Sequence, residues 1–295
     1  MTSVDDNVST AAPMSRRRFA GHLPAIIVAA AIWLVVVVVA AVFAHQLAPH
    51  DMAAINLRAR LLPPDPFGSG YMLGTDELGR DVLSRTLAAT QTSLSIALLG
   101  TGIGALLGTL LGLLAAHFRG LLDELIMTFV DFQASMPFLI IALTMLAFFG
   151  NHFALFIVVV GLLGWERYAR VVRSVTLVVQ SQTYVLAVRQ LGAGPFRLYL
   201  RHILPNVTNV IIVNMTLVFP EIILLESGLS FLGVGIQPPL TSLGSMLGYG
   251  RDYLTTAPWI ALAPAAVLFL TALSISLVGD WLRDKLDPNL RRHTE

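Results

Sequence analysis

Two acidic residues lie where acids are rare. Glu221 and Glu226 are the only acidic residues well inside an apolar run, here Val207–Gly228. A charge at membrane depth costs several kcal/mol unless it is paired or faces water. Both are therefore candidates for a translocation path or a proton site, together with Pro220, whose ring kinks or locally opens a helix. The structural alternative stays open for Glu221. For Glu226, near one end of the run, hydrogen bonding to neighbouring backbone accounts for the residue better. Asp123, Glu124 and Asp131 open another run, and acids favour a helix N-terminus, which explains the first two. The seven His residues are scattered without HExxH or any other ligand spacing, so no metal centre is expected. With no Cys there is no disulfide, thiolate site or Cys nucleophile. No nucleophile–base pair stands out, so an intramembrane enzyme is disfavoured and the chain is expected not to be catalytic. Lys285 is the only lysine, and no GxxxxGK[ST] surrounds it. The chain cannot form a phosphate-binding loop of its own, so ATP, if used, is bound with its Mg by another subunit and no cofactor is expected here.

A second group of residues is suited to contact rather than chemistry. Leu186 to Pro205, LAVRQLGAGPFRLYLRHILP, is an Arg-bearing interruption between apolar runs. It predicts a helix, a glycine turn and a second helix. Gly192 can take the left-handed conformation that ends a helix. Pro195 suits the first turn of the next one, where its missing N–H costs nothing. Arg197 and Arg201, four apart, share a face. Phe196, Tyr199, Leu200, Ile203 and Leu204 give apolar surface beside them. Such a hairpin either presents itself to a partner or lies on lipid headgroups.

Membrane helices must position both groups. The chain is 56% hydrophobic and 13% charged, against about 25% charged in soluble domains. Six runs reach the roughly 20 residues that cross a hydrocarbon core: Leu23–Ala44, Ser93–Ala116, Leu125–Phe148, Phe153–Val172, Val207–Gly228 and Trp259–Val278. Only Gly150, Asn151 and His152 separate the third from the fourth. The first follows Arg16, Arg17 and Arg18, and is too long for a signal-peptide core. Fourteen of the nineteen Lys and Arg fall on one side of this topology, which places both termini and the hairpin in the cytoplasm. Segments of about 49–92 and 233–258 are external, with turn chemistry at Pro63-Pro64-Asp65-Pro66 and Pro238-Pro239. The net charge of +1 offers no basic stripe for nucleic acid. In the second run, Gly100, Gly104, Gly108 and Gly112 make one slowly drifting stripe, which lets another helix backbone approach closely within the bundle or from a sister subunit. Pro137 interrupts the third run. In the external segment, Asp81 and Arg85 are expected to pair on an elbow helix capped near Asp76.

Three segments together resemble one family. The hairpin resembles the EAA motif, EAAxxxG with a distal LP, of membrane subunits of binding-protein-dependent ABC importers; Ala187, Gly192, Leu204 and Pro205 match it. Gly74–Arg85, GTDELGRDVLSR, is similar to the segment after the first span of peptide permeases. Leu229–Pro239 and Gly244–Leu254 are similar to their last external loop, and Asp280–Arg291 fits as well. The resemblance spans about Pro24 to Arg292 and points to the dipeptide, oligopeptide and nickel group, specifically its second permease subunit. The motif's leading Glu is Leu186 here, and its second Ala is Val188.

The resemblance implies an all-α integral membrane fold, with six transmembrane helices and a cytoplasmic coupling-helix hairpin between spans four and five. The expected layout is a cytoplasmic tail at 1–22, a first helix and external segment at 23–92, and a five-helix core at 93–282 containing the hairpin at 182–205. A cytoplasmic tail follows at 283–295. The implied function is a permease subunit of an ATP-driven peptide importer in the bacterial inner membrane. Its implied partners are a homologous permease, ATP-binding subunits, an extracytoplasmic substrate-binding protein, peptide and lipid. Leu186, Ala187, Val188, Gly192, Pro195, Arg197, Leu204 and Pro205 would contact the ATPase. Gly74, Asp76, Glu77, Gly79, Arg80 and Asp81 would shape the external entrance or meet the binding protein. The alternative is a carrier or channel driven by an ion gradient, with Glu221 as its proton site.

Overall fold

The computed structural model describes residues 24–68, 70–150 and 152–286. Among them no strand forms beyond an isolated bridge between Thr75 and Asp81. The helices are α1 (Ala25–Val42), α2 (Ala44–Leu47), α3 (Val82–Phe118), α4 (Gly120–Ser135), α5 (Phe138–Phe149) and α6 (Phe153–Gly161). They continue as α7 (Trp165–Gln180), α8 (Thr183–Gln190), α9 (Pro195–Leu198), α10 (Leu204–Phe231), α11 (Leu243–Gly250) and α12 (Trp259–Leu286). Four helices are long and apolar enough to cross a membrane: α1, α3, the continuous Pro195–Phe231 and α12. The number rises to six if α4 with α5, and α7 with α8, each count as one bent span. The expected tail at 1–22 with Arg16–Arg18, the separator Asn151, and Arg291 and Arg292 of the second tail lie outside the described residues.

Several expected boundaries need correction. The run Leu125–Phe148 is not one helix: α4 and α5 meet at a bend of 92°. The cause is Pro137, which disfavours helical backbone at the residue before it. Met136 is accordingly extended, at φ −99° and ψ 137°. The run Phe153–Val172 is also broken. Gly164 sits in left-handed conformation between α6 and α7, at φ 81°. The second run extends well beyond Ser93, because α3 starts at Val82 under an Asp81 cap. The fifth does not begin afresh at Val207, since α9 passes through a π-helical turn at Tyr199–Ile203 directly into α10. Pro205 supplies no N–H, and the Leu204 N–H bonds to the Tyr199 carbonyl instead.

α3 is the hub, packing on α1, α4, α6, α7 and α10. The glycine stripe is what lets α7 come so close. A Cβ on Gly108 would meet the Trp165 carbonyl oxygen at 2.3 Å, and one on Gly112 would meet that of Ala169 at 2.6 Å. Gly104 faces the Gly161 carbonyl in the same way. The stripe thus contacts α6 and α7 of its own chain. The main core runs through Ile96, Phe156, Val160, Ile222, Leu229 and Ile260. α1 lies on α12, joined by a hydrogen bond from Trp33 Nε1 to Thr271 Oγ1 (3.2 Å).

Candidate functional site

The hairpin is built on a small core of its own. α7 turns by 70° into α8. α8 then ends in a Schellman motif: the Gly192 N–H bonds to the Arg189 carbonyl (3.1 Å) and the Ala193 N–H to that of Val188 (3.3 Å). Gly192 has φ 84°, and nothing lies within 4 Å of where its Cβ would be. Conformation, not space, therefore demands glycine there. Val185, Leu198, Ile203 and Val207 pack with Val172 and Val179 of α7. Of the apolar residues expected on the hairpin surface, Ile203 is thus core and Tyr199 half-buried, while Phe196 and Leu200 are exposed. Leu191 is 87% and Phe196 77% exposed. A cleft of about 420 Å³ has Leu186, Arg189, Pro195, His117 and Arg119 in its wall. Val188, Leu191, Gly192, Arg197 and Arg201 line a second cleft. Ala187 and Pro205 are exposed and Leu204 is half-buried.

Sequence reading missed the residues that tie this hairpin to the α3–α4 turn. Gln180 Nε2 donates to Tyr199 Oη (2.8 Å), and Arg119 Nη2 donates to Gln180 Oε1 (3.1 Å). His117 Nδ1 lies 3.1 Å from the same phenol oxygen. No spacing rule connects positions so far apart in the chain.

The segment that precedes α3 folds around Asp76, which is completely buried. Its carboxylate accepts from the Leu78 and Arg80 N–H groups (2.8 and 2.9 Å) and from Arg80 Nε (2.7 Å). It also pairs with the buried Arg85. The expected Asp81–Arg85 pair is therefore incorrect. Asp81 caps α3, accepting from Ser84 N (2.9 Å), and this capping turns its carboxylate away from Arg85. Gly74 and Gly79 both have positive φ within tight turns. Glu77 bonds to Arg80 Nη2 (2.9 Å). Glu77, Arg80 and Arg85 line a cleft of about 470 Å³ together with Pro239 and Tyr249.

The two span acids separate. Five residues rotate a helix by about 500°, so Glu221 and Glu226 leave α10 in different directions. Glu226 is fully buried. It accepts from Ser93 Oγ of α3 (2.9 Å), Ser230 Oγ (2.8 Å) and, more weakly, Ser227 Oγ (3.3 Å). Its partners are thus hydroxyl groups rather than the neighbouring backbone that was expected. The polarity of those hydroxyls is fixed from outside: Ser93 Oγ accepts from Leu243 N–H, and Ser230 Oγ from Ile236 N–H. Glu226 therefore clasps α3, α10 and the segment between α10 and α11 together. Glu221 instead forks onto Arg167 of α7, with Oε1 2.7 Å from Nη1 and Oε2 2.7 Å from Nη2. Both side chains of that pair are more than 40% exposed. Pro220 is buried beside it.

Comparison with known proteins adds a further finding. Residues 108–292 match the family described as binding-protein-dependent transport system inner membrane component. The chain is 40% identical over 258 residues to a peptide transport system permease protein of Brucella suis, covering 88% of this chain and 86% of that one. It is 36% identical to the glutathione transport system permease protein GsiD of Pectobacterium atrosepticum, covering 90% and 87%. Its fold resembles a chain of the inward-facing MetNI methionine ABC transporter. The TM-score is 0.56 at 17% identity, covering 69% of this chain and 96% of that one.

Proposed function

This chain belongs to the binding-protein-dependent transport system inner membrane components, as a permease subunit of an ATP-driven importer, and from that premise we propose how it works and what it carries. The cargo is a short peptide or a peptide-like thiol, the classes named for the Brucella and Pectobacterium relatives. The chain pairs with a homologous permease, and cargo crosses between the two bundles. ATP and Mg sit on separate ATPase subunits, each gripping one hairpin. An external binding protein delivers the cargo. Both termini lie in the cytoplasm, six spans cross the membrane, and Leu186–Pro205 is the coupling element. The ion-gradient carrier suggested by Glu221 is not favoured by the relatives.

One observation carries the coupling reading: one continuous helical segment, with a single π-helical turn, runs from the exposed hairpin tip to the loop after α10. Pro195–Phe231 has 37 residues, and at 1.5 Å per residue it is a rod of about 55 Å. Phe196 stands at one end, and the Glu226–Ser93 clasp is near the other. When ATP closes the ATPase pair, a push on Phe196 and Leu191 moves α8 and α9 with their shared core. The rod carries that motion to the loop clasped by Glu226. This is a population shift between two states, and it is reciprocal: a loaded binding protein should raise ATP hydrolysis.

The test uses Phe196→Asp in the assembled transporter. Phe196 is largely exposed and outside the hairpin core, so the variant chain should fold and insert normally. It should lose capture of the ATPase subunit on co-purification, and uptake with it. Full capture and uptake would remove the docking assignment. Uptake by the chain alone in proteoliposomes without ATP would instead restore the carrier.

A further inference from the structure

One face of α7 is polar at a depth where lipid would be its neighbour. The opposite face, with Tyr168, Ala169, Val172 and Thr176, is buried, and Tyr168 and Val172 meet the glycine stripe. Arg167, Arg170 and Arg173 occupy the other face at three-residue intervals, each joined to an acid from a different turn of the fold. Arg167 pairs with Glu221 of α10, Arg170 with Asp131 of α4 (3.0 Å), and Arg173 with Asp123 of α4 (2.5 and 2.6 Å). The first two pairs are open to their surroundings. Side-chain exposures are 44% and 43% for Arg167 and Glu221, and 52% and 72% for Arg170 and Asp131.

Depth follows from helix geometry. Glu221 lies seven residues before Gly228, the end of its apolar run, which puts it about 10 Å inside that run. From the other direction, Trp165 and Tyr168 pack on Gly108. Gly108 is eight residues from Ala116, the end of the α3 apolar run, or about 12 Å. Half-exposed ion pairs at this level are too costly against acyl chains, so the face must meet water or protein.

We propose that the polar face of α7 is the water-lined wall of the passage, and that the Arg167–Glu221 fork is an exchange site for zwitterionic cargo. The guanidinium of Arg167 takes the cargo's carboxylate while the carboxylate of Glu221 takes its ammonium group. The proposal rests on the permease reading above and adds a substrate-facing site to it. Exposed pairs are weak, worth about 0–1 kcal/mol, so the fork opens readily for a ligand that satisfies both halves. A bidentate guanidinium suits a carboxylate well. A ligand of a single charge gains from one partner and is repelled by the other, so the site selects molecules carrying both signs. Arg170–Asp131 and then Arg173–Asp123 continue the same alternation along α7 and α4, giving successive stations of the same kind.

The absence of Cys makes the test clean. In the assembled transporter in proteoliposomes, Leu224→Cys and Ser174→Cys place single thiols on this face without touching an ion pair. Leu224 is one turn beyond Glu221 and 51% exposed, and Ser174 is one turn beyond Arg170 and exposed. Val35→Cys, on the exposed apolar side of α1, is the control. A charged methanethiosulfonate reagent should modify the first two and spare the third, since the thiolate forms only in water. Millimolar alanyl-alanine should slow modification at Leu224→Cys by about tenfold, corresponding to roughly 1.4 kcal/mol of occupancy. N-acetyl-alanyl-alanine amide, which lacks both charges, should leave the rate unchanged. Adding Arg167→Gln and Glu221→Gln should abolish the protection.

Inert thiols on this face would mean that a sister subunit covers it, and would overturn the passage wall. Equal slowing by both peptides, or protection surviving the double substitution, would overturn the exchange site. In either case ATP-driven uptake by the same vesicles would leave the importer reading intact. Reactive, protected thiols together with uptake that ignores ATP would sink the importer reading and leave the site standing.

Discussion

The elbow before α3 and the hairpin between α7 and α10 are both turns between long helices, yet opposite forces hold them. In the elbow, the polar groups look inward. Asp76 is buried among two backbone N–H donors and two guanidinium groups, and Asp81 caps α3. In the hairpin, apolar groups divide. Val185, Leu198 and Ile203 close a small core, while Leu191 and Phe196 point outward. The elbow's interior is held by buried ion pairs and caps. Both turns expose large apolar side chains, Leu57 and Phe67 in the elbow and Leu191 and Phe196 in the hairpin, so the difference between them lies in what holds each interior. On the proposed function, the 37-residue helix would carry motion from the hairpin to the opposite end of the bundle.

The contrast can be broken most forcefully at Asp76. Asp76→Ala would leave Arg85 buried without its carboxylate, a loss of about 3–5 kcal/mol. The thermal midpoint of the purified transporter should fall by on the order of 10 °C. A midpoint within 2 °C of the parent, which corresponds to less than about 1 kcal/mol, would show that the buried Asp76–Arg85 pair does not hold the elbow.

A smaller structural effect with a larger functional one is expected at Gly192. Gly192→Val forces a β-branched residue into φ 84°, costing about 1–2 kcal/mol locally. Hydrogen exchange should quicken across 183–195 while the elbow stays protected. ATP hydrolysis should persist without uptake. Normal uptake in this variant would separate the turn from coupling.

The gentlest probe is Leu186→Glu, which restores the acid that the resembled motif places there. Leu186 is 46% exposed beside Arg189 and Arg119, so the new charge has water and no burial penalty. Affinity for the ATPase subunit should hold or rise by a few-fold, the scale of an exposed ion pair. Loss of assembly would mean that α8 packs against the partner in a different way.

How far the sequence could be read depended on the range of the interaction concerned. The hairpin was legible because its signals are local: Gly192 for a left-handed cap, Pro195 for a first turn, and an Arg pair four apart. The glycine stripe was legible as a face for the same reason. Pro137 was noticed, but a bend of 92° was not deducible, because a kink angle depends on what α4 and α5 pack against. The Asp81–Arg85 expectation failed although its spacing was sound. A rule for neighbouring turns could not anticipate that Asp76, nine residues from Arg85 and outside the helix, would reach the guanidinium first.

Composition and periodicity by themselves determined that this is a helical membrane chain whose sequence carries no GxxxxGK[ST] string and sets a polar hairpin between apolar runs. Those properties are sums and spacings along one strand of polypeptide, and local physics fixes them. Only the tertiary structure decided which acid is sealed and which is open. Glu221 and Glu226 are chemically identical and five residues apart on one helix. The difference between them lies in what stands opposite: serines from α3 and α10 around one, an arginine from α7 beside the other. Rotation along a helix sets the direction of a side chain, but the neighbour it meets comes from the packing of distant segments.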